Sequence, residues 1–233
     1  MLGVNFDVGL LMYDELKMLV AAISWKSATL LRSRRFFDVA QLVNLWKANV
    51  LSFAECRTAA IYHAADSHLK SLDHTQTHFL KELGLDDDIG LLCFNLAPLQ
   101  TRRDIAMLGL IQRSVLGLGP AHFQQFFKLA ANRTERFTRR RSDLHKWQLV
   151  DERNNMLEIG RRSALGLISI YNMLPQSIVE SRTVAAFQSG LQEMVKAEAL
   201  SGNVMWRQTL SPRLSLLTHP LELLRQKRSA LAR

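Results

Sequence analysis

The sequence predicts a mainly α-helical protein: a helical bundle, then a short extended or β segment, then a terminal helix. Three observations carry this prediction. Apolar residues recur three and four apart as far as Leu116, the period of a helix with one buried face. Residues that start and stop helices stand at the ends of those periodic runs. The chain has 233 residues, 48% of them hydrophobic and 22% charged, which is globular rather than disordered and enough to bury a core.

The first helix runs from Asp14 to about Leu31, with Leu16, Leu19, Val20, Ile23, Leu30 and Leu31 on one face. A second helical segment extends from Phe37 to about Tyr62 with Leu42, Leu45, Trp46, Val50 and Phe53 as its stripe. Asp66 or Ser67 caps a third, which buries Leu69, Leu72, Gln76, Phe79, Leu80 and Leu83 and stops at Gly84, a residue suited to the left-handed turn after a helix. Pro98 opens a fourth, with Ile105, Leu108, Ile111, Val115 and Leu116 inward, and Gly117 to Pro120 breaks it. From Asn132 to Lys146 the chain is polar and rich in arginine. Trp147-Gln148-Leu149 and Leu167 to Leu174 read as strands or extended pieces, the second ended by Pro175. Ser181 or Thr183 caps the last clear helix, through Val184, Phe187, Leu191, Met194 and Val195; a short helix at Leu221 to Leu231 lies in the basic tail. This divides the chain into a helical bundle over 1–130, a basic linker over 131–160, a strand-helix module over 161–200 and a basic tail over 201–233.

Net charge is +9, a surplus that attracts polyanions, and RNA or DNA is the expected partner. Cys56 and Cys93, with no CxxC pair, cannot build a disulfide framework or a four-cysteine zinc site, which points to an intracellular protein, nuclear or cytoplasmic. No apolar run is long enough to span a bilayer, so no membrane partner is expected. No GxxxxGK[ST], GxGxxG or GxSxG motif occurs, and no carboxylate set suited to gripping two metals. Autonomous catalysis is not expected, and neither is a cofactor.

Four histidines, His63, His68, His74 and His78, invite a metal reading. His74 and His78, however, fall on the solvated side of their helix without a carboxylate or thiolate to complete a shell. Asp86-Asp87-Asp88 suits either Mg²⁺ or the positive end of a helix dipole, and the second is favoured. The candidate nucleic-acid contacts are basic. Lys26, Arg32, Arg34 and Arg35 close the first helix, beside Trp25, which either stacks on a base or, the more common fate, packs beneath a neighbouring helix. Arg102, Arg103 and Arg113 flank the polar side of the fourth helix, and Arg139-Arg140-Arg141 is the densest run, suited to a phosphate backbone or simply solvated.

Three stretches resemble one family. Leu2-Gly3-Val4-Asn5-Phe6-Asp7 before the Leu16 to Leu31 helix is similar to the "LGV-x-FD" join of palm and thumb in reverse transcriptases of non-LTR (LINE-type) retrotransposons. Leu45-Trp46-Lys47-Ala48-Asn49-Val50, then Leu72 and Gln76 to Leu83-Gly84, resembles the helices that follow there. Ile170-Tyr171-Asn172-Met173-Leu174-Pro175, Ile178-Val179, Val184 and Phe187 to Leu191 resemble the closing "WN-x-LP-x-x-(I/V)V" pattern, with Tyr171 where the family has Trp. The resemblance covers roughly residues 2 to 192. It implies a thumb and post-thumb fragment of an RNA-directed DNA polymerase, lacking fingers, palm and zinc knuckle. Any Mg²⁺ would belong to that missing palm. Met1 then reads as a start inside a longer ancestral frame. The partners implied are RNA or DNA, and with them a separate palm-containing chain or self-association. The alternative is a helical interaction or self-associating module with no nucleic acid ligand.

Overall fold

A computed structural model describes residues 3–130, 145–152, 156–214 and 218–231, and its regular elements are almost all helical. The contacts divide the chain into two compact units, Met1–Arg103 and Asp104–Arg233. That division falls inside a helix rather than at residue 130.

In the first unit, α1 (Tyr13–Arg32) turns Leu16, Leu19 and Ile23 inward, with Val20, Leu30 and Leu31 partly buried along the same side. Its principal neighbour is α5 (Asp66–Glu82), which contributes Leu69, Leu72, Gln76, Phe79 and Leu80. Between them the expected second helix is a series: α2 (Val39–Trp46), a π turn (Lys47–Leu51), α3 (Ser52–Glu55) and α4 (Thr58–Ile61). Asp38 starts α2 as a capping box, accepting from the Gln41 N–H while Gln41 Oε1 accepts from the Asp38 N–H. Trp46 is fully buried, stacks on Phe79 with ring centroids 5.5 Å apart, and donates its indole N–H to Ser27 Oγ at 3.0 Å. Gly84 takes the expected positive φ of 72° after α5. Asp86 then caps α6 (Asp87–Phe94), accepting from the Ile89 N–H at 2.7 Å, with Asp87 and Asp88 in the first turn. The acidic run has the geometry of a helix start, with its carboxylates near the positive end of the dipole.

Gln76 donates from its buried side-chain amide to the Ala97 carbonyl at 3.1 Å, pinning the chain just before α7 (Leu99–Val115). Glu15 is also buried, in an ion pair with Arg57 and accepting the Asn5 N–H at 3.0 Å. Spacing foreshadows this, because Glu15 lies three residues from Met12 and four from Leu19, both core residues.

In the second unit, Ile105, Leu108 and Ile111 are buried, Val115 and Leu116 half-buried. A 3-10 turn (Ala121–Gln125) follows, and the extended pieces at Leu129 and Leu149 form an antiparallel bridge. The segment Leu167 to Leu174 is a correction to the sequence reading. It is helical, a 3-10 turn (Ala164–Leu167) running into α9 (Ile168–Met173) after α8 (Glu158–Arg162). Ile168, Ser169, Ile170 and Tyr171 are all buried, so the segment has no polar face to reveal a helical period. A short apolar run of that kind is compatible with either structure.

Tyr171 and Asn172 tie this unit together. The Tyr171 hydroxyl donates to Gln112 Oε1 at 2.7 Å, and Gln112 Nε2 donates to the Val179 carbonyl at 3.0 Å. Burial pushes the Tyr171 phenol well above its ordinary pKa, so it stays a neutral donor. Asn172 pairs with the main chain of Leu149 in both directions, at 2.8 and 2.9 Å. After α10 (Gln176–Val179), Thr183 caps α11 (Val184–Leu200) by accepting from the Ala186 N–H, as one of the two expected caps. The last helix, α12, is Pro220–Leu231.

His145 is buried and meets Tyr171 again, its Nε2 lying 2.9 Å from the Tyr171 carbonyl while Nδ1 accepts the Trp147 N–H at 3.2 Å. An accepting Nδ1 leaves the proton on Nε2 and the ring neutral. Burial lowers its pKa below the ordinary 6.5, opposed by the bond to the Tyr171 carbonyl. Because the folded value is depressed, this site contributes stability above pH ~6.5, lost as pH falls through the folded value. The thermal midpoint of the chain is expected to drop between about pH 7 and pH 5, and less steeply in His145→Phe, which has no proton to gain. Equal slopes in the two proteins would contradict this assignment.

Candidate nucleic-acid interface

The backbone decides where the basic residues of α1 end up. Ser33 ends the helix, its N–H bonding the Leu30 and Leu31 carbonyls and its hydroxyl donating to Leu30 O at 2.6 Å. The Asp38 capping box begins α2 five residues later, so the intervening connection is short and held at both ends. Arg32 is the last residue of α1 and Arg34 and Arg35 lie in that connection; all three are exposed. Arg34 reaches Glu82 only at 3.9 Å, with both side chains largely solvated, and a pair of that kind contributes little and is readily exchanged for a phosphate. The Arg35 guanidinium lies 4.7 Å from the Phe36 ring centroid. Lys26 is half-buried, its ammonium 5.3 Å from the Phe53 ring, where Arg57 also lies at 5.2 Å.

Trp25 departs from the burial that was favoured for it. Its side chain is 65% exposed on the side of α1 away from Leu16, Leu19 and Ile23, and no described element of the first unit covers it. A helical wheel shows that Trp25 lies off the apolar stripe; it does not show whether a neighbour arrives to cover that side.

The fourth-helix arginines separate into three environments. Arg103 is a correction: it is 6% exposed and clamps Asp73 of α5 through both terminal nitrogens, at 2.7 and 2.9 Å. Buried to that degree, with its fork already on a carboxylate, the guanidinium presents no edge to a phosphate in solvent. The spacing holds the clue, since Arg103 lies four residues from Leu99 and four from Met107, both buried. Arg102 pairs with Glu55 and is half-buried. Arg113 is exposed, its Nε donating to the Leu118 carbonyl at 3.1 Å across the turn that ends α7. Arg139, Arg140 and Arg141 lie outside the described residues.

No family model, curated protein or solved structure matches this chain.

His74 and His78 are exposed neighbours, ring centroids 6.3 Å apart. Among the described residues, no group of three or more His, Cys, Asp or Glu side chains is gathered where one metal ion could be held. No helix among them is long and apolar enough to cross a membrane. The arrangement that remains is a short, exposed arginine turn between α1 and α2, able to neutralise an anion.

Proposed function

We propose that this chain holds a nucleic acid, as the thumb and post-thumb part of an RNA-directed DNA polymerase of the non-LTR retrotransposon type would. The observation that carries the reading is the turn closing α1, where Arg32, Arg34 and Arg35 stand exposed within four residues and, among the described residues, the carboxylate that Arg34 approaches is a solvated one at 3.9 Å. The net charge of +9 adds a long-range field of the right sign. The family assignment rests on the sequence resemblance, and the phosphate-binding role rests on the arginine turn. In this reading the contacts go to phosphates and sugars and tolerate sequence, and the reacting metals are supplied by a separate palm. Lys26, Arg102 and Arg113 lie farther from free solvent or are engaged in the fold, and serve as secondary contacts. Arg103 has no part in it.

Binding that is dominated by phosphate contacts releases counterions, so affinity must fall as salt rises. Fluorescence anisotropy with a labelled RNA-DNA hybrid is expected to show a log-log salt slope of about −3 or steeper, roughly 0.9 per phosphate neutralised. A flat response, or no binding at low salt, overturns the reading.

A further inference from the structure

The outward side of α1 carries an apolar stripe that no described residue of the first unit covers. Met18, 47% exposed, Ala21, Trp25 and Ala28 are spaced alternately three and four residues apart, opposite the buried Leu16, Leu19 and Ile23. Residues so spaced make one continuous seam. The seam is bounded by charges of opposite sign: Asp14 in the first turn of α1 and Arg32 in the last, both exposed. These two lie about five helical turns apart, so they sit on the same line along the helix, roughly 27 Å from one another. Among the described residues, neither stands within ion-pair distance of an opposite charge.

The order of residues along the seam is complementary to its own reverse. In an antiparallel pairing that sets Trp25 over Ala21, Met18 falls over Ala28 and Asp14 over Arg32. Each large side chain then meets a small one, and each terminal charge meets its opposite. A parallel pairing would instead oppose indole to indole and like charge to like charge. The antiparallel arrangement is thus the complementary one, and it is a closed two-fold contact in which the same patch serves both partners.

We propose that this face of α1 docks a second copy of the same chain, antiparallel, with each Trp25 seated over the partner copy's Ala21. A single helix pair buries less surface than a standard stable interface, so the dimer is weak, with a dissociation constant on the order of tens of micromolar. Arg34 and Arg35 lie beyond the end of α1 and outside the seam, so failure of this inference and failure of nucleic-acid holding are read by different variants.

Sedimentation equilibrium of the full chain from about 1 to 500 µM tests it, with far-ultraviolet circular dichroism as the check that each variant folds. The apparent mass is expected to approach twice the chain mass at the upper end. Asp14→Arg and Arg32→Asp each oppose like charges and are expected to weaken the dimer about tenfold, while the double exchange D14R/R32D restores it to within about threefold. Trp25→Ala abolishes it. A chain that stays monomeric throughout, or a double exchange no better than either single change, overturns the proposal. So does a Trp25→Ala variant that keeps its mass and instead loses affinity for RNA, which would assign the indole to base stacking.

Discussion

Replacing Trp46 with Ala is expected to cost the first unit about 3–5 kcal/mol, enough to unfold it or leave it barely stable. The side chain is fully buried, so the substitution opens a cavity at the junction of α1, α2 and α5. It removes the stacking on Phe79 and leaves the buried Ser27 hydroxyl without its indole donor. Urea unfolding followed by circular dichroism measures the loss. Trp25→Ala, in the exposed indole of α1, is the internal control and should change stability by less than about 0.5 kcal/mol. A Trp46 cost below about 1 kcal/mol would contradict the packing described for this core.

The second large effect is at Arg103. Arg103→Met is expected to destabilise the chain by about 2–4 kcal/mol while leaving nucleic-acid affinity unchanged. Removing the guanidinium strands the Asp73 carboxylate, which is 24% exposed and keeps partial access to water. That access places the cost toward the lower end for a broken buried pair. The same substitution at a phosphate contact would do the reverse, lowering affinity and its salt slope with little effect on folding. Urea midpoints and binding isotherms on one preparation separate the two. An affinity loss without a stability loss would return Arg103 to the interface.

These two residues also show what the sequence made legible. The inward faces of α1, α5 and α11 were readable because Leu16/Leu19/Ile23, Leu69/Leu72/Phe79 and Phe187/Leu191/Val195 each repeat at the helical period against polar neighbours. The ends of helices were readable where a side chain or backbone angle has one local cause, as at Gly84, Asp86 and Thr183. Partners distant in sequence were not readable. Asp73 stands thirty residues before Arg103, and Glu15 meets Arg57 across forty-two. Nothing within one helix announces either pair beyond the apolar company that Arg103 and Glu15 keep. The Leu167 to Leu174 run failed for a different reason. Buried on all sides, it lacks the polar alternation that would distinguish helix from strand.

The candidate interface divides in the same way. Arg32 ends α1, and Arg34 and Arg35 fall in the short connection that the Asp38 cap closes, so all three are exposed. Trp25 is exposed because no neighbour covers it, a tertiary fact. Between them lies a functional distinction, with Arg32 at the border: Arg34 and Arg35 are assigned to a polyanion alone, and the seam through Trp25 to a second copy of the chain.

The most direct measurement is therefore the salt dependence of nucleic-acid binding in the native chain beside Arg34→Glu/Arg35→Glu, which leaves the α1 seam intact. The double variant is expected to bind at least about a hundredfold more weakly at low salt and to lose about two units of log-log slope. Indistinguishable affinity and slope in the two proteins would contradict it.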